Sequence, residues 1–195
     1  NIYKGKVSRI EPSLGAAFVN YGAERHGILP IKEISPQFYP EKHNRNSRLS
    51  VSDCLKKDQE ILVQVEKDER GNKGAALTTN ISLAGRYLVL MPNNPKAAGI
   101  SRRLEGKERD KLKERIASLN VPESMGLIVR TAGEGKDLED LKWDLEYLQR
   151  VWEGISEANT LKNSPILIFK ESDIIIRALR DYLKEDIEEI WVDTE

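Results

Sequence analysis

Apolar and polar positions alternate over short distances in the first part of the chain. Residues 1–31 carry brief apolar runs separated by glycines and prolines, a pattern typical of short strands joined by turns. Residues 61–66 alternate again, and a glycine-bearing turn at residues 68–74 leads into another strand. Residues 40–52 are polar and aperiodic, which predicts a long loop. Five short strands split by one long loop predict a small Greek-key barrel of the OB type.

Helical periodicity enters in the second half of the chain. Apolar residues recur at alternating steps of three and four along residues 137–162, which predicts a long helix. A charged helix is expected at residues 105–119, and a third at residues 172–187 with Ser172 as its N-cap. Short apolar strands are predicted at residues 87–90, 125–129, 166–169 and 190–192. Strands that alternate with helices indicate an α/β layer.

The two patterns meet near residues 80–86, and the chain of 195 residues has room for two small domains. We place the boundary so that the barrel covers residues 1–85 and the second domain covers residues 86–195. The fold class is therefore α+β. A hydrophobic fraction of 39% and a charged fraction of 32% suit a globular protein with a core.

The net charge of −1 hides an asymmetry between the halves. Residues 1–103 hold 17 Lys and Arg against 10 Asp and Glu, whereas residues 104–195 hold 14 against 22. A basic half joined to an acidic half suggests that the first half meets a polyanion. Two solvated surfaces with an accidental bias would give the same counts, so charge alone does not decide.

Metal and acid–base chemistry find little support. Cys54 is the single cysteine, which excludes an internal disulfide and a multi-cysteine zinc site within this chain. His26 and His43 are too far apart in sequence to form a motif, and carboxylate pairs such as Asp137 and Asp140 lie on charged helical faces. A general acid or base is one interpretation of His26, but a structural hydrogen bond explains it better, and we predict no carboxylate cluster that binds a metal. No apolar run approaches the length of a membrane span.

The predicted barrel carries aromatic and cationic residues that suit single-stranded nucleic acid. Phe18 and Tyr21 flank one turn, and Arg70 and Lys73 lie on the glycine-bearing hairpin. OB barrels bind single strands by combining aromatic stacking with a cationic groove. Phe18 alone is more simply explained as barrel core, because strand aromatics usually face inward. The aromatics and cations together favour binding.

A second candidate lies at the end of a predicted buried strand, in Arg130 and Thr131. A guanidinium presents a planar fork that matches phosphate oxygens, and threonine adds a hydroxyl donor. The following Gly133-Glu134-Gly135-Lys136 lacks the spacing of a phosphate-binding loop, so nucleotide hydrolysis is rejected. Arg102 and Arg103 follow another glycine-bearing loop, and on sequence pattern alone a pair of surface arginines explains them somewhat better than a binding site does.

Several long strings resemble the ribonuclease E/G family. They are NIYKGKVSRIEPSLGAAFVNYGAERHGILPIKEI, DERGNKGAALTTNISLAGRYLVLMPNN, GISRR, GLIVRTAG and IIIRALRDYLKEDIEEI, and together they span most of the chain. The resemblance implies a fragment of the catalytic half of a single-strand-specific endoribonuclease that acts in RNA processing and mRNA decay. It implies an OB-fold RNA-binding domain of the ribosomal-protein type, followed by an incomplete ribonuclease-H-like subdomain.

The resemblance also assigns residues. Arg130 and Thr131 match the family's pocket for an RNA 5′-monophosphate, and Gly85, Val89 and Arg102 match positions that line or support it. The barrel positions that match RNA contacts are Phe18, Tyr21 and Lys73, while Ile28 stands where the family carries an aromatic. Gly27 and Leu29 match barrel positions that are sensitive to substitution.

The family's remaining properties concern the parent enzyme. Its Mg²⁺-binding aspartates and the CPxCxG segment that binds Zn²⁺ lie in later segments, so we expect this chain to bind RNA, to hold neither metal and not to cut. The resemblance further implies a cytoplasmic location, peripheral to the inner membrane in the parent, a homo-tetramer and degradosome proteins as partners. The alternatives are a non-catalytic RNA-binding regulatory module and a protein-interaction scaffold that uses the acidic long helix.

Overall fold

The computed structural model describes residues 1–41, 49–103, 105–171, 174–183 and 187–193, which form two sheets and four helices. The strands are β1 (Ile2–Glu11), β2 (Ala16–Asn20), β3 (Gly27–Pro30), β4 (Glu60–Lys67), β5 (Ala76–Thr78), β6 (Leu83–Ala84), β7 (Leu88–Met91), β8 (Gly99–Ile100), β9 (Gly126–Val129) and β10 (Ile166–Phe169). The helices are α1 (Val51–Cys54), α2 (Gly106–Ala117), α3 (Leu138–Leu161) and α4 (Ile174–Tyr182).

Five strands close into a barrel in the order β1-β2-β3-β5-β4, with β4 pairing back onto β1. These pairings are antiparallel except that of β3 with β5. Successive side chains of a strand point to opposite faces, so one set fills the barrel. Its members are completely buried, namely Val7, Val19, Leu29, Val63 and Leu77. The predicted five-stranded barrel and the α+β class are confirmed.

A sixth strand joins the barrel sheet from much later in the chain. β10 pairs antiparallel with β1, with Tyr3 opposite Leu167. The sequence placed this strand in the second layer, and the structure corrects that placement. The reason lies in the length of β1: β2 pairs with it only from Lys6 onward. The first residues of β1 therefore have an edge that β10 covers, which satisfies backbone groups that would otherwise be unpaired.

The second sheet has the order β6-β7-β9-β8, and α3 packs against it. Leu88 and Leu90 of β7 and Val129 of β9 are completely buried in this layer. Asp137 caps the N-terminus of α3, and its Oδ1 accepts a hydrogen bond from the backbone N–H of Asp140 at 2.9 Å. The helix face toward the sheet is formed by the buried side chains of Leu141, Leu145, Leu148 and Ile155. This face agrees with the predicted periodicity.

Two further expectations change. The predicted strand at residues 190–192 is wrong, because these residues are exposed and pair with neither sheet in the part of the chain that the structure describes. α1 occupies the end of the predicted 40–52 loop, where the backbone N–H of Ser50 donates to Asp53 Oδ2 at 2.8 Å to form a capping box.

The strands change sheet within the 80–86 range where the sequence placed the domain boundary, slightly before the division drawn between residues 85 and 86. β6 lies before that point but pairs with β7 in the second sheet. The strands themselves therefore change sheet a few residues earlier. Ser172 and His43 lie outside the described residues, so the N-cap prediction and the comparison of the two histidines are left as sequence predictions.

Candidate nucleic-acid interface

A row of cross-strand neighbours runs across one side of the barrel. Arg9 on β1 stands opposite Phe18 on β2, and Phe18 stands opposite Ile28 on β3. Ile28 in turn pairs with Ala76 on β5, which stands opposite Lys67 on β4. All five are half-buried or exposed, whereas their strand neighbours Ala17, Leu29 and Leu77 are buried. The barrel therefore presents an apolar centre with a cation at each end of the row.

Arg9 contacts the aromatic ring of Phe18. Its guanidinium carbon lies 4.5 Å from the ring centroid, within the range of a cation–π interaction. Phe18 is only partly buried. It therefore lies on the outer face of the sheet, and the core explanation considered for Phe18 from the sequence does not hold. Arg9 carried no signal in the sequence, because its place beside Phe18 depends on the register of β1 and β2.

Tyr21 does not share this face. The residue is only 6% exposed, and its ring packs edge-on against Tyr3 with centroids 5.1 Å apart. Burial raises the pKa of the Tyr21 hydroxyl, and the nearby Glu69 carboxylate adds to the rise. The ring is a core element and offers no open stacking face. Tyr21 is close to Phe18 in sequence, but β2 ends at Asn20 and the side chain of Tyr21 is buried.

The hairpin that carries Lys73 packs closely against β3. The backbone N–H of Ile28 donates to the Ala75 carbonyl oxygen at 2.8 Å, and Arg25 donates to the Gly71 carbonyl oxygen. A Cβ atom at Gly74 would collide with the carbonyl oxygen of His26, so this approach requires glycine. Lys73 is exposed on this hairpin, which packs against the start of β3.

Gly27 and Leu29 support the row from inside the barrel. Leu29 is completely buried, and a Cβ atom at Gly27 would lie 2.6 Å from Leu77 Cγ. Ile28 lies between them and faces outward. Close packing beneath β3 therefore fixes the position of the Ile28 side chain, which gives a physical reason for the predicted sensitivity of both positions.

The second candidate site forms where two parallel strands end together. β8 and β9 pair with Ile100 opposite Val129, so the residues that follow each strand are neighbours. The backbone N–H of Ser101 donates to the Val129 carbonyl oxygen at 2.9 Å, and the hydroxyls of Ser101 and Thr131 share a hydrogen bond of 3.1 Å. The exposed Arg102 follows directly. The structure therefore brings Arg102, Arg130 and Thr131 to one edge of the sheet.

The turn between β6 and β7 meets the same edge. Nη1 of Arg130 donates to the Gly85 carbonyl oxygen at 2.6 Å, and the backbone N–H of Arg130 donates to the Tyr87 carbonyl oxygen at 2.8 Å. Val89 faces away from the buried layer beside Ile128, its partner on β9. All five residues assigned to this site from the sequence are thus placed around the ends of β7, β8 and β9.

A carboxylate of α3 holds this turn in place. Asp144 accepts hydrogen bonds from three consecutive backbone N–H groups, those of Arg86 at 3.0 Å, Tyr87 at 2.8 Å and Leu88 at 2.9 Å. A Cβ atom at Gly85 would lie 2.5 Å from both Asp144 carboxylate oxygens. Gly85 is therefore required by the close approach of the turn to α3. Sequence reasoning missed Asp144, which had the appearance of one more charge on a helix surface.

Two cations lie over the ring of Tyr87 in this turn. The Arg86 guanidinium lies 5.5 Å and the Lys136 ammonium 5.3 Å from the ring centroid of Tyr87. Hydrogen bonds from Arg130 and Arg180 hold the pKa of the Asp181 carboxyl well below its usual range, and the bond from Arg130 has the larger effect. Local positive potential is what an anion-binding site requires. Across the described residues, no three His, Cys, Asp or Glu side chains are grouped to hold a metal ion.

Comparisons with known proteins cover both parts of the chain. Residues 1–80 match the sequence model described as the S1 RNA binding domain, and residues 82–195 match that of the Ribonuclease E/G family. The chain is 60% identical over 193 residues to ribonuclease E of Escherichia coli (strain K12), an alignment that covers 99% of this chain and 18% of that protein. It is also 60% identical over 194 residues to ribonuclease E of Haemophilus influenzae, covering 100% of this chain and 21% of that protein.

A more distant relative is ribonuclease G of Salmonella typhimurium, which is 38% identical over 198 residues, covering 100% of this chain and 40% of that protein. The chain thus spans about a fifth of the length of the two ribonuclease E proteins. Among the helices that the structure describes, none is both long and apolar enough to cross a membrane.

Proposed function

Because the chain belongs to the ribonuclease E/G family, we propose that it is the part of an endoribonuclease that binds single-stranded RNA and senses its 5′-monophosphate. The observation that carries the proposal is the row across the barrel, from Arg9 through Phe18 and Ile28 to Lys67. A row of this kind offers an aromatic and an aliphatic surface for bases, flanked by cations for phosphates. The match of residues 1–80 to an S1 RNA binding domain supports the same assignment.

Base binding on the barrel rests on Phe18 and Ile28. Stacking of one base on an aromatic ring contributes about 1–3 kcal/mol and tolerates any sequence. Ile28 has no ring, but its partly exposed side chain next to Phe18 gives apolar contact to a second base. The phosphates of the RNA backbone are bound by three cations of the barrel, Lys73, Arg9 and Lys67. Tyr21 contributes from below, by packing on Tyr3 in the barrel core.

End recognition rests on Arg130 and Thr131. A terminal phosphate monoester carries a charge of about −1.5 to −2 at neutral pH and offers several acceptor oxygens. A guanidinium edge and the exposed Thr131 hydroxyl supply charge-assisted and neutral donors for them. Arg102, next to Ser101 on the neighbouring strand end, adds a second cation. A hydroxyl end lacks this charge, and a triphosphate end adds charge and bulk.

The chemical step belongs elsewhere in this proposal. The described residues do not fit a site for Mg²⁺ or Zn²⁺, since none of them are grouped as a metal-ligand set. We assign to this chain binding and orientation of the RNA, and the prediction that it performs no step of bond cleavage rests on the family resemblance. Metal binding, a homo-tetramer, degradosome partners, a cytoplasmic location and roles in rRNA processing and mRNA decay remain predictions for the parent from the family resemblance.

The two sites are tested separately by RNA binding. Fluorescence anisotropy with a labelled single-stranded decamer measures affinity, once with a 5′-monophosphate and once with a 5′-hydroxyl. Phe18→Ala should lower the affinity for both RNAs about tenfold, because stacking does not depend on the chemistry of the 5′ end. Arg130→Ala should lower the affinity for the monophosphorylated RNA only. Affinity should fall with salt, since phosphate contacts release counterions. Equal effects of Arg130→Ala on both RNAs, or no effect, would contradict the sensor assignment.

A further inference from the structure

α4 contributes a carboxylate to the proposed sensor. Oδ1 of Asp181 accepts a hydrogen bond from Nη1 of Arg130 at 2.8 Å and another from Nε of Arg180 at 2.9 Å. Arg180 also donates from Nη1 to the Ala84 carbonyl oxygen at 3.1 Å, so the second arginine is fixed to the turn beside Gly85. The side chains of Arg130 and Asp181 are each only about a quarter exposed, at 27% and 26%. This is a partly buried, geometrically defined pair.

Within the described part of the chain, the side-chain hydrogen bonds of Arg130 all come from one guanidinium nitrogen, Nη1. Among the described residues, Nη1 donates to the carbonyl oxygens of Gly85 at 2.6 Å and Arg86 at 3.3 Å and to Asp181 Oδ1 at 2.8 Å. A guanidinium can bind an anion through two parallel N–H groups, and the edge formed by Nε and Nη2 is suited to this. Anchoring Nη1 leaves that edge for a ligand. It also removes rotational freedom that binding would otherwise have to restrict.

We propose that Asp181 is a positioning residue of the sensor: it holds the Arg130 guanidinium with its Nε–Nη2 edge toward the RNA 5′-phosphate. The inference rests on the proposed function and adds to it a residue of α4. Two carbonyl oxygens alone would leave Nη1 without a charged partner. The carboxylate supplies that partner and, by bridging to Arg180, ties α4 to the turn that Gly85 and Arg86 form.

Two other roles of Asp181 would change RNA affinity in different ways. If Asp181 occupied the place of the phosphate, its removal would free Arg130 and raise the affinity for a monophosphorylated end. If Asp181 only held the fold together, its removal would weaken every RNA alike. Positioning predicts neither result. It predicts that the preference for the monophosphate is lost while binding of the hydroxyl-ended strand is retained.

The experiment uses the 195-residue chain and the same two decamers, with Asp181→Ala, Asp181→Asn and the control Glu188→Ala, which removes another carboxylate of the same part of the chain. The ratio of the two affinities is the readout. Asp181→Ala should lower this ratio by about five- to twentyfold without changing the affinity for the hydroxyl-ended RNA. Asp181→Asn, which keeps an acceptor oxygen at the same place, should restore part of the ratio. Glu188→Ala should leave it unchanged.

The contrary results are distinct. An unchanged or increased ratio in Asp181→Ala, or a ratio above that of the unmodified chain in Asp181→Asn, would overturn the positioning role. Equal loss with both RNAs would do so too, because it indicates a structural defect. An unmodified chain that binds both RNAs equally would refute the proposed sensor itself and the role of Asp181 with it. If the ratio is present and survives Asp181→Ala, only the inference about Asp181 fails.

Discussion

Removal of the Asp144 carboxylate should destabilise the second domain and disable the sensor together. In the structure this one side chain accepts three backbone hydrogen bonds, from Arg86, Tyr87 and Leu88. Hydrogen bonds to charged groups each contribute about 1.5–3 kcal/mol, but water can reach the partly buried turn after truncation. We therefore expect Asp144→Ala to lower the free energy of unfolding by about 2–4 kcal/mol, below the simple sum.

Urea unfolding followed by tryptophan fluorescence measures this change, because Trp143 and Trp152 lie on the same helix as Asp144. A loss of 2–4 kcal/mol corresponds to a midpoint lower by about 1–2 M urea for a domain of ordinary slope. Glu153→Ala is the matched control, since it removes an exposed carboxylate from the same helix. A midpoint shift equal to that of the control would refute the view that Asp144 holds the turn.

The functional consequence has its own readout. Under conditions where the variant is folded, Asp144→Ala should reduce the preference for monophosphorylated RNA, because the carbonyl oxygens that anchor Arg130 belong to the same turn. Binding of hydroxyl-ended RNA should change little, since the barrel does not include this turn. A destabilised variant that keeps the full preference would separate Asp144 from the sensor.

Two further predictions concern stability. Gly27→Ala should lower the free energy of unfolding by about 1–3 kcal/mol, because the new methyl group collides with the completely buried Leu77. A urea unfolding midpoint equal to that of the unmodified chain would contradict this. Hydrogen bonds from Ser164 and Lys4 hold the pKa of Glu60 at about 2, below its ordinary value of 4.5. A carboxyl with a lowered pKa stabilises the fold at pH values above its ordinary pKa of 4.5, and this stabilisation is lost as the pH falls from 4.5 toward 2. Glu60→Gln should therefore lose less stability than the unmodified chain over this pH range. Parallel profiles of stability against pH for the two proteins would count against this prediction.

Local pattern was sufficient to predict much of the fold. The alternation of β4 and the three-and-four spacing of α3 report directly which side chains are buried, so both elements and the barrel were predictable. Residues 166–169 were correctly predicted as a strand, but the pairing of β10 with β1 and the absence of a strand at residues 190–192 were not predictable. Both are short apolar runs, and only the first finds an open strand edge, on β1. Whether such an edge exists depends on strand lengths elsewhere in the fold.

In the two candidate sites, too, some residues could be predicted from local sequence and others could not. Arg130, Thr131 and Phe18 stand in recognisable strings, and the structure places each on an accessible face or edge. Arg9, Asp144 and Asp181 act through residues that are 9, 57 and 51 positions away, respectively, so no local spacing could indicate them. Tyr21 shows the converse, because proximity to Phe18 in sequence did not put it on the same face.

The central claim is that the chain holds RNA at two separate places, of which only one reads the 5′ end. A double-mutant cycle on Phe18 and Arg130, measured with both decamers, tests it most directly. The two losses should add in free energy for the monophosphorylated RNA, and Arg130→Ala should have no effect on binding of the hydroxyl-ended RNA with or without Phe18. A dependence on the 5′ end that disappears in Phe18→Ala, with Arg130 intact, would contradict it.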